Sequence, residues 1–248
     1  EVLELAQEIS IQTRGAFDIT VGPLVNLWGF GPDIWPVDAE VPTDAAIEAA
    51  SNRVGFRYLQ IDAARSQLLK TADISLDLSG IAKGYAVDRI ATYFDSLGVQ
   101  NYFLEIGGEL KIKGVKPGNE SWVPAIEAPL NAAPQVYEII YSRGETIAVA
   151  GSGDYRNYFE QDGIRYSHEI DPRTGRPVTH NLAAAYVIDQ SAARADALAT
   201  AYMILGVEEA SELAERNRQA AYFIYRDTNA EFGDSLSSEF RKYLSTAP

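Results

Sequence analysis

Apolar residues recur at helical spacing from the first turn of the chain, where Val2, Leu5, Ala6 and Ile9 share one face. The same periodicity predicts helices over 2–13, 43–54, 80–97, 192–205, 207–217 and 236–244, the second opened by Thr43 as N-cap. Short runs rich in β-branched and aromatic residues lie between them, at 58–62, 101–106, 109–115, 136–141, 146–150, 183–188 and 221–225, and read as strands. Gly107-Gly108 joins two of these runs, and glycine's tolerance of positive φ predicts a tight hairpin there. Strands grouped between helices, without regular βαβ alternation, predict an α+β fold of mixed or antiparallel sheets with packed helices. No Pro-, Gly- or Ser-rich linker divides the 248 residues, so one domain spanning 1–248 is expected.

Charge narrows the partners. With 35 acidic and 21 basic residues the net charge is -14, a field that repels polyanions and makes nucleic acid an unlikely ligand. A small anion is still compatible with it if a divalent cation or local backbone N–H groups offset the repulsion. The absence of cysteine removes disulfides, thiolate metal sites and a thiol nucleophile. No run approaches the roughly 18 apolar residues of a membrane span, and the N-terminus carries no basic segment followed by an apolar one.

Four segments carry candidate chemistry. In ISLDLSGIAKGYAVDRIATYF, Ala82, Ala86, Ile90, Phe94 and Leu97 are predicted to form the buried face of a helix capped by Ser79. Asp77 and Gly80 would then stand at an anion-holding helix entrance, with Lys83 projecting from the first turn. A capped helix with a solvated lysine reads the same way. In SAARADALATAYMILG, Leu198, Tyr202 and Leu205 form one stripe, while Asp196 and Thr200, spaced i, i+4 on nearly the opposite side, can converge on one point. Such an oxygen pair suits magnesium, and equally suits a solvated surface.

The third segment, GSGDYRNYFEQDGIRYSHEIDPRTGRPV, reads as an irregular binding loop. Gly151, Ser152 and Gly153 allow close backbone approach to a phosphate, and Arg173 and Arg176 face either phosphate or solvent. His168 is either a proton acceptor or a hydrogen-bonded structural residue, and His180 reads as surface or structural. The fourth, TRGAFDITVGPLVNLWGFGP, combines a helix stop at Gly15 with Phe17, Leu24, Leu27, Trp28 and Phe30, which line an aromatic ligand or fill a core; Asp18 is its polar exception.

Taken in order, AFD, DLSGIAKGYAVD, EIGGEL, SGDYRNYFE with HEIDPRTGRPV, and DALAT resemble the ApbE family of flavin transferases over roughly residues 13–206. The resemblance implies an α+β, T-fold-like domain that binds FAD and Mg2+. It further implies that a protein threonine attacks the FMN-side phosphorus and AMP leaves, with subunits of sodium-pumping quinone reductases or related electron-transport complexes as acceptors. A magnesium-dependent FAD pyrophosphatase and a non-catalytic FAD-binding protein are the alternatives. Carried over residue by residue, flavin-nucleotide contacts fall on Ala16, Phe17, Asp18, Asp77 and Lys83, and on the backbone of Ile170. The metal ligands fall on the Gly80 carbonyl, Asp196 and Thr200, with Asp196 also essential to catalysis and His168 the general base. Full-length members of the family carry a signal or lipoprotein segment and a flavin-covering stretch ahead of the equivalent of residue 1. A periplasmic protein is therefore expected, membrane-anchored in its precursor through a lipid absent from this chain.

Overall fold

The computed structural model describes residues 1–31, 41–130, 133, 135–155, 157–229 and 231–244. Pro32 of the fourth segment and Arg156 of the third lie outside the described residues. The chain forms two compact units, Glu1–Gly80 with Arg156–His180, and Ile81–Tyr155 with Asn181–Pro248.

The second unit is built on a six-stranded sheet: β1 (Tyr102–Ile106), β2 (Glu109–Lys113), β3 (Ile147–Gly153), β4 (Leu182–Asp189), β5 (Ala220–Arg226) and β6 (Phe232–Leu236). Every neighbouring pair is antiparallel, and the strands lie side by side in chain order. This is the antiparallel α+β arrangement expected from the sequence. Gly107 and Gly108, with φ of 61° and 104°, close the two-residue hairpin that pairs Ile106 with Glu109.

The two-residue period of the strands sorts side chains by size onto the two faces. Leu110, Ile112, Ile147, Val149, Ile188, Tyr222 and Ile224 pack on one face with Phe240 and Tyr243. Burial of each such side chain contributes about 1.5–3 kcal/mol. The other face is lined largely by alanine, including Ala148, Ala150, Ala183 and Ala185, all at most 1% exposed. These short side chains let α5 (Ala192–Arg216) lie against β3 and β4, and α4 (Ala82–Ser96) lie against α5, β1 and β2.

The buried face of α4 is not the one expected. Gly84, Val87 and Ala91 are buried, whereas Ala82, Ile90 and Leu97 are exposed. The reason is the close helix crossing. A Cβ at Gly84 would stand 2.2 Å from the Ala192 carbonyl oxygen, so the contact face is chosen by smallness, not hydrophobicity. Asp88 on the same helix accepts from the Ser191 hydroxyl (2.7 Å) and the Ala193 N–H (3.0 Å), and so satisfies the start of α5. Gly206, at φ 77° and ψ 172°, interrupts α5 at the point where sequence periodicity separates 192–205 from 207–217.

The predicted helix over 236–244 is replaced by the end of β6 and a 3-10 turn, Phe240–Tyr243. Ser237 explains the change: its hydroxyl donates to the Gln219 carbonyl (2.7 Å) and accepts from the Ala221 N–H (3.0 Å), which holds the chain against β5.

In the first unit, α1 (Val2–Gln12), α2 (Gly22–Leu27) and α3 (Asp44–Ser51) accompany three short hairpins. Thr43 caps α3 through the Ala46 N–H as expected. α2, which periodicity over so short a span does not reveal, has Pro23 in its first turn, where the missing N–H costs nothing. The aromatic run of the opening segment is core: Leu24 and Trp28 pack with Ile47, Val54, Phe159 and Ile170. The Trp28 indole donates to the Gly175 carbonyl at 2.8 Å.

The segment read as an irregular loop proves largely extended. It supplies the end of β3, the hairpin Tyr158–Gln161 with Ile164–Ser167, and the pair Ile170–Asp171 with Arg176–Pro177. Asp162 and Gly163 turn the first hairpin at φ 53° and 76°. Among the described residues no helix is long and apolar enough to cross a membrane.

Candidate functional site

In the second unit, the entrance of α4 meets α5 through one hydrogen bond. The Gly84 N–H donates to Oδ2 of Asp196 at 3.0 Å. Asp196 is 3% exposed, which removes the solvated-surface reading that its sequence spacing left open. Burial raises its carboxyl pKa, opposed by the Gly84 N–H and by the charge of Lys83. One turn along, the Thr200 hydroxyl lies 3.4 Å from that of Ser152 on β3. Beside them the Lys83 ammonium donates to Oε1 of Glu109, a carboxylate only 1% exposed. Burial likewise raises the Glu109 carboxyl pKa, against the Lys83 hydrogen bond and together with repulsion from Asp196.

A buried carboxylate is costly unless something compensates its charge, which makes Asp196 a candidate for a functional group. Its surroundings offer oxygen donors from carboxylates and hydroxyls, the set a hard divalent cation selects. Among the described residues no group of three or more His, Asp or Glu side chains forms a metal cage.

In the first unit, Asp18 is 6% exposed and both its oxygens are engaged. Oδ1 accepts from the Thr20 N–H (2.8 Å) and hydroxyl (2.6 Å), and Oδ2 from the Phe56 N–H (2.7 Å). Burial raises its pKa against those bonds and the charge of Arg57. The carboxylate therefore shapes the 16–20 segment, alongside the buried Ala16 and Phe17. Asp77 joins that segment, since its N–H donates to the Ile19 carbonyl at 2.7 Å. Its side chain accepts from the Ser79 N–H at 2.9 Å. Ser79 is not the N-cap of α4: that position is Ile81, whose aliphatic side chain has no acceptor to offer the first-turn N–H groups. Gly80 closes the first unit's N-terminal stretch.

His168 follows the Tyr158–Ser167 hairpin, and the Phe30 ring meets its imidazole edge-on at 6.2 Å. Its Nδ1 lies 3.0 Å from the Asn157 carbonyl oxygen. A carbonyl only accepts, so this bond places the proton on Nδ1 and leaves Nε2 of the neutral ring able to take one. Oε1 of the buried Glu169 lies 3.5 Å from Nε2. Ile170 is buried at the next position, in backbone pairing with Pro177. Both arginines are paired with carboxylates, Arg176 at the solvent-exposed surface, as one of its two readings expected, and Arg173 with its side chain 34% exposed. Arg173 forms a bidentate pair with Asp171, and Arg176 pairs with Asp44 at 2.6 Å. Glu109 and Glu169 are the polar neighbours that sequence reasoning passed over, although each lies inside a quoted motif.

The ApbE family model matches residues 1–224. The chain belongs to the ApbE family. It is similar to the FAD:protein FMN transferase of Vibrio cholerae, 44% identical over 245 residues that cover 98% of this chain and 71% of that protein. The FAD:protein FMN transferase of Salmonella typhimurium is 40% identical, with 98% and 69% covered. Among solved structures, the apo flavinyl transferase ApbE of Pseudomonas stutzeri superposes with a TM-score of 0.87 at 43% identity, covering 100% of this chain and 75% of that one. The flavin transferase ApbE of Vibrio cholerae gives 0.86 at 42%, covering 98% and 75%. The α+β ApbE fold expected from the sequence is the fold observed.

Proposed function

We propose that this chain moves FMN from FAD onto a threonine hydroxyl of a target protein, with magnesium, and releases AMP. Its activity class, FAD:protein FMN transferase, is that of relatives 40–44% identical over nearly its whole length. The observation that carries the finer reading is the buried Asp196, tied to the start of α4 by the Gly84 N–H, with Lys83 as the neighbouring residue and Thr200 one turn away.

In this reading Ala16, Phe17, Asp18, Asp77 and Lys83, together with the backbone of Ile170, contact the flavin nucleotide, an assignment that rests on the family resemblance. The Lys83 ammonium keeps donors beyond the one given to Glu109, and its side chain is 45% exposed, so it can meet a phosphate oxygen. Asp196, Thr200 and the Gly80 carbonyl would hold magnesium, which when bound supplies positive charge to the pyrophosphate.

The threonine hydroxyl gives its proton to Nε2 of His168 as its oxygen bonds to the FMN-side phosphorus. The bond from that phosphorus to the bridging oxygen breaks, and AMP leaves with the oxygen and the electron pair. The Glu169 carboxylate lies 3.5 Å from Nε2 and helps to orient the ring. Quinone reductase subunits or related electron-transport proteins as acceptors, and a periplasmic location, belong to the same reading and rest on family resemblance.

The test is incubation with FAD, MgCl2 and a protein bearing an acceptor threonine, followed by intact-mass measurement. An FMN-sized increment on the acceptor supports transfer. FMN and AMP in solution with an unmodified acceptor would favour the pyrophosphatase, and retained FAD without AMP a binding protein.

A further inference from the structure

Glu109 follows the Gly107-Gly108 turn at the first position of β2. Its Oε1 holds the Lys83 ammonium, while its Oε2 is buried with no hydrogen-bond partner. An unmet buried polar atom costs about 1–3 kcal/mol, and more when it carries charge.

The hydrogen bonds tie Glu109 and Asp196 to the same turn of α4. Lys83 and Gly84 are consecutive in the first turn of α4. One donates its ammonium to Glu109 and the other its backbone N–H to Asp196. A single helical turn therefore holds two buried carboxylates, with one ammonium to balance them. Burial and, after it, repulsion from Asp196 disfavour the charged form of Glu109 despite the Lys83 hydrogen bond, a situation that a nearby divalent cation relieves. The glycine turn keeps the Oε2 side clear: a Cβ on Gly107 would stand 3.2 Å from Cδ of Lys83 and 3.8 Å from Oε2.

We propose that Glu109 is a second carboxylate of the divalent-cation site of Asp196 and Thr200, presenting Oε2 to the cation or to a water bound to it. This assignment rests on the magnesium reading above. Two carboxylates and a hydroxyl remain within what magnesium accepts beside water and phosphate.

The experiment titrates the full chain with Mn2+ in the absence of FAD and follows free Mn2+ by electron paramagnetic resonance. Wild type is compared with Asp196→Asn, Glu109→Gln and Lys83→Met. Asp196→Asn is expected to lose most of the affinity, and Glu109→Gln to weaken it about tenfold, the size of one charge-assisted contact. Lys83→Met is expected to tighten binding several-fold, because the ammonium that holds Oε1 of Glu109 and offsets the charge of Asp196 no longer competes with the cation. If Asp196→Asn weakens binding while Glu109→Gln stays within about twofold of wild type, the Glu109 assignment is overturned and the magnesium reading stands. If Asp196→Asn binds like wild type, the cation site at Asp196 is overturned and Glu109 with it. Should Glu109→Gln fail to fold, Lys83→Met decides, since unchanged or weaker affinity there contradicts the proposal.

Discussion

The backbone N–H of Gly84 and the carboxylate of Asp196, 112 residues apart in the chain, are 3.0 Å from each other. The contact exists because α4 and α5 cross where Gly84 has no side chain, and it holds the candidate cation ligand at the entrance of the helix that carries Lys83.

Gly84→Ala tests that relationship. The added Cβ meets backbone atoms of Ala192 at 2.2–2.5 Å, and backbone cannot rotate away as a side chain would. The expected loss of stability is about 1–3 kcal/mol in urea unfolding, even though alanine favours the helix more than glycine does. Mn2+ affinity should fall as well, because the helices must part at Asp196. Wild-type stability and Mn2+ affinity together would contradict the close crossing.

Asp88 gives a pH-dependent prediction. Burial pushes its pKa up, but the bonds from Lys111, Ser191 and Ala193 more than offset this and leave it below the usual 3.8. A carboxylate with a lowered folded pKa stabilises above its unfolded pKa and loses that contribution as pH falls through the folded value. Asp88→Asn should therefore cost about 1–2 kcal/mol near pH 7, with the gap to wild type closing below pH ~4. Urea melts at pH 7 and pH 3 measure it, and a gap that does not shrink in acid would count against the assignment.

His168→Ala separates base from support. As a general base it should lower the single-turnover rate of FMN transfer roughly 10²–10⁴-fold with FAD affinity nearly unchanged. Flavin fluorescence titration and rapid-quench kinetics on one preparation distinguish the outcomes. Weakened FAD binding with a normal rate constant at saturation would make His168 a loop residue.

Much of this was legible in the sequence where one rule dominated. All seven predicted strand runs appear in the structure, as do the Gly107-Gly108 hairpin, the Thr43 cap and the break at Gly206. The failures come where tertiary contact outranked local pattern. The α4 face departs from the hydrophobic pattern because Gly84 and Ala91 are buried for their small size, which such a pattern does not register. The Asp162-Gly163 pair is itself a hairpin signal, obscured by the polar and glycine-rich composition around it.

The candidate site was legible by type and spacing more than by environment. Asp196 and Thr200 stand a turn apart as their spacing requires, but only the structure buries Asp196. Glu109 could not be singled out, because its role depends on Lys83 and Asp196, distant in sequence.

Magnesium-dependent transfer of FMN to protein is read out in the intact mass of an acceptor protein after incubation with FAD. Wild type with MgCl2 should add one FMN to the acceptor threonine. Addition of EDTA, or Asp196→Ala with MgCl2, should leave the acceptor unmodified. An unmodified acceptor with wild type and MgCl2, or undiminished modification with EDTA or Asp196→Ala, would contradict the account.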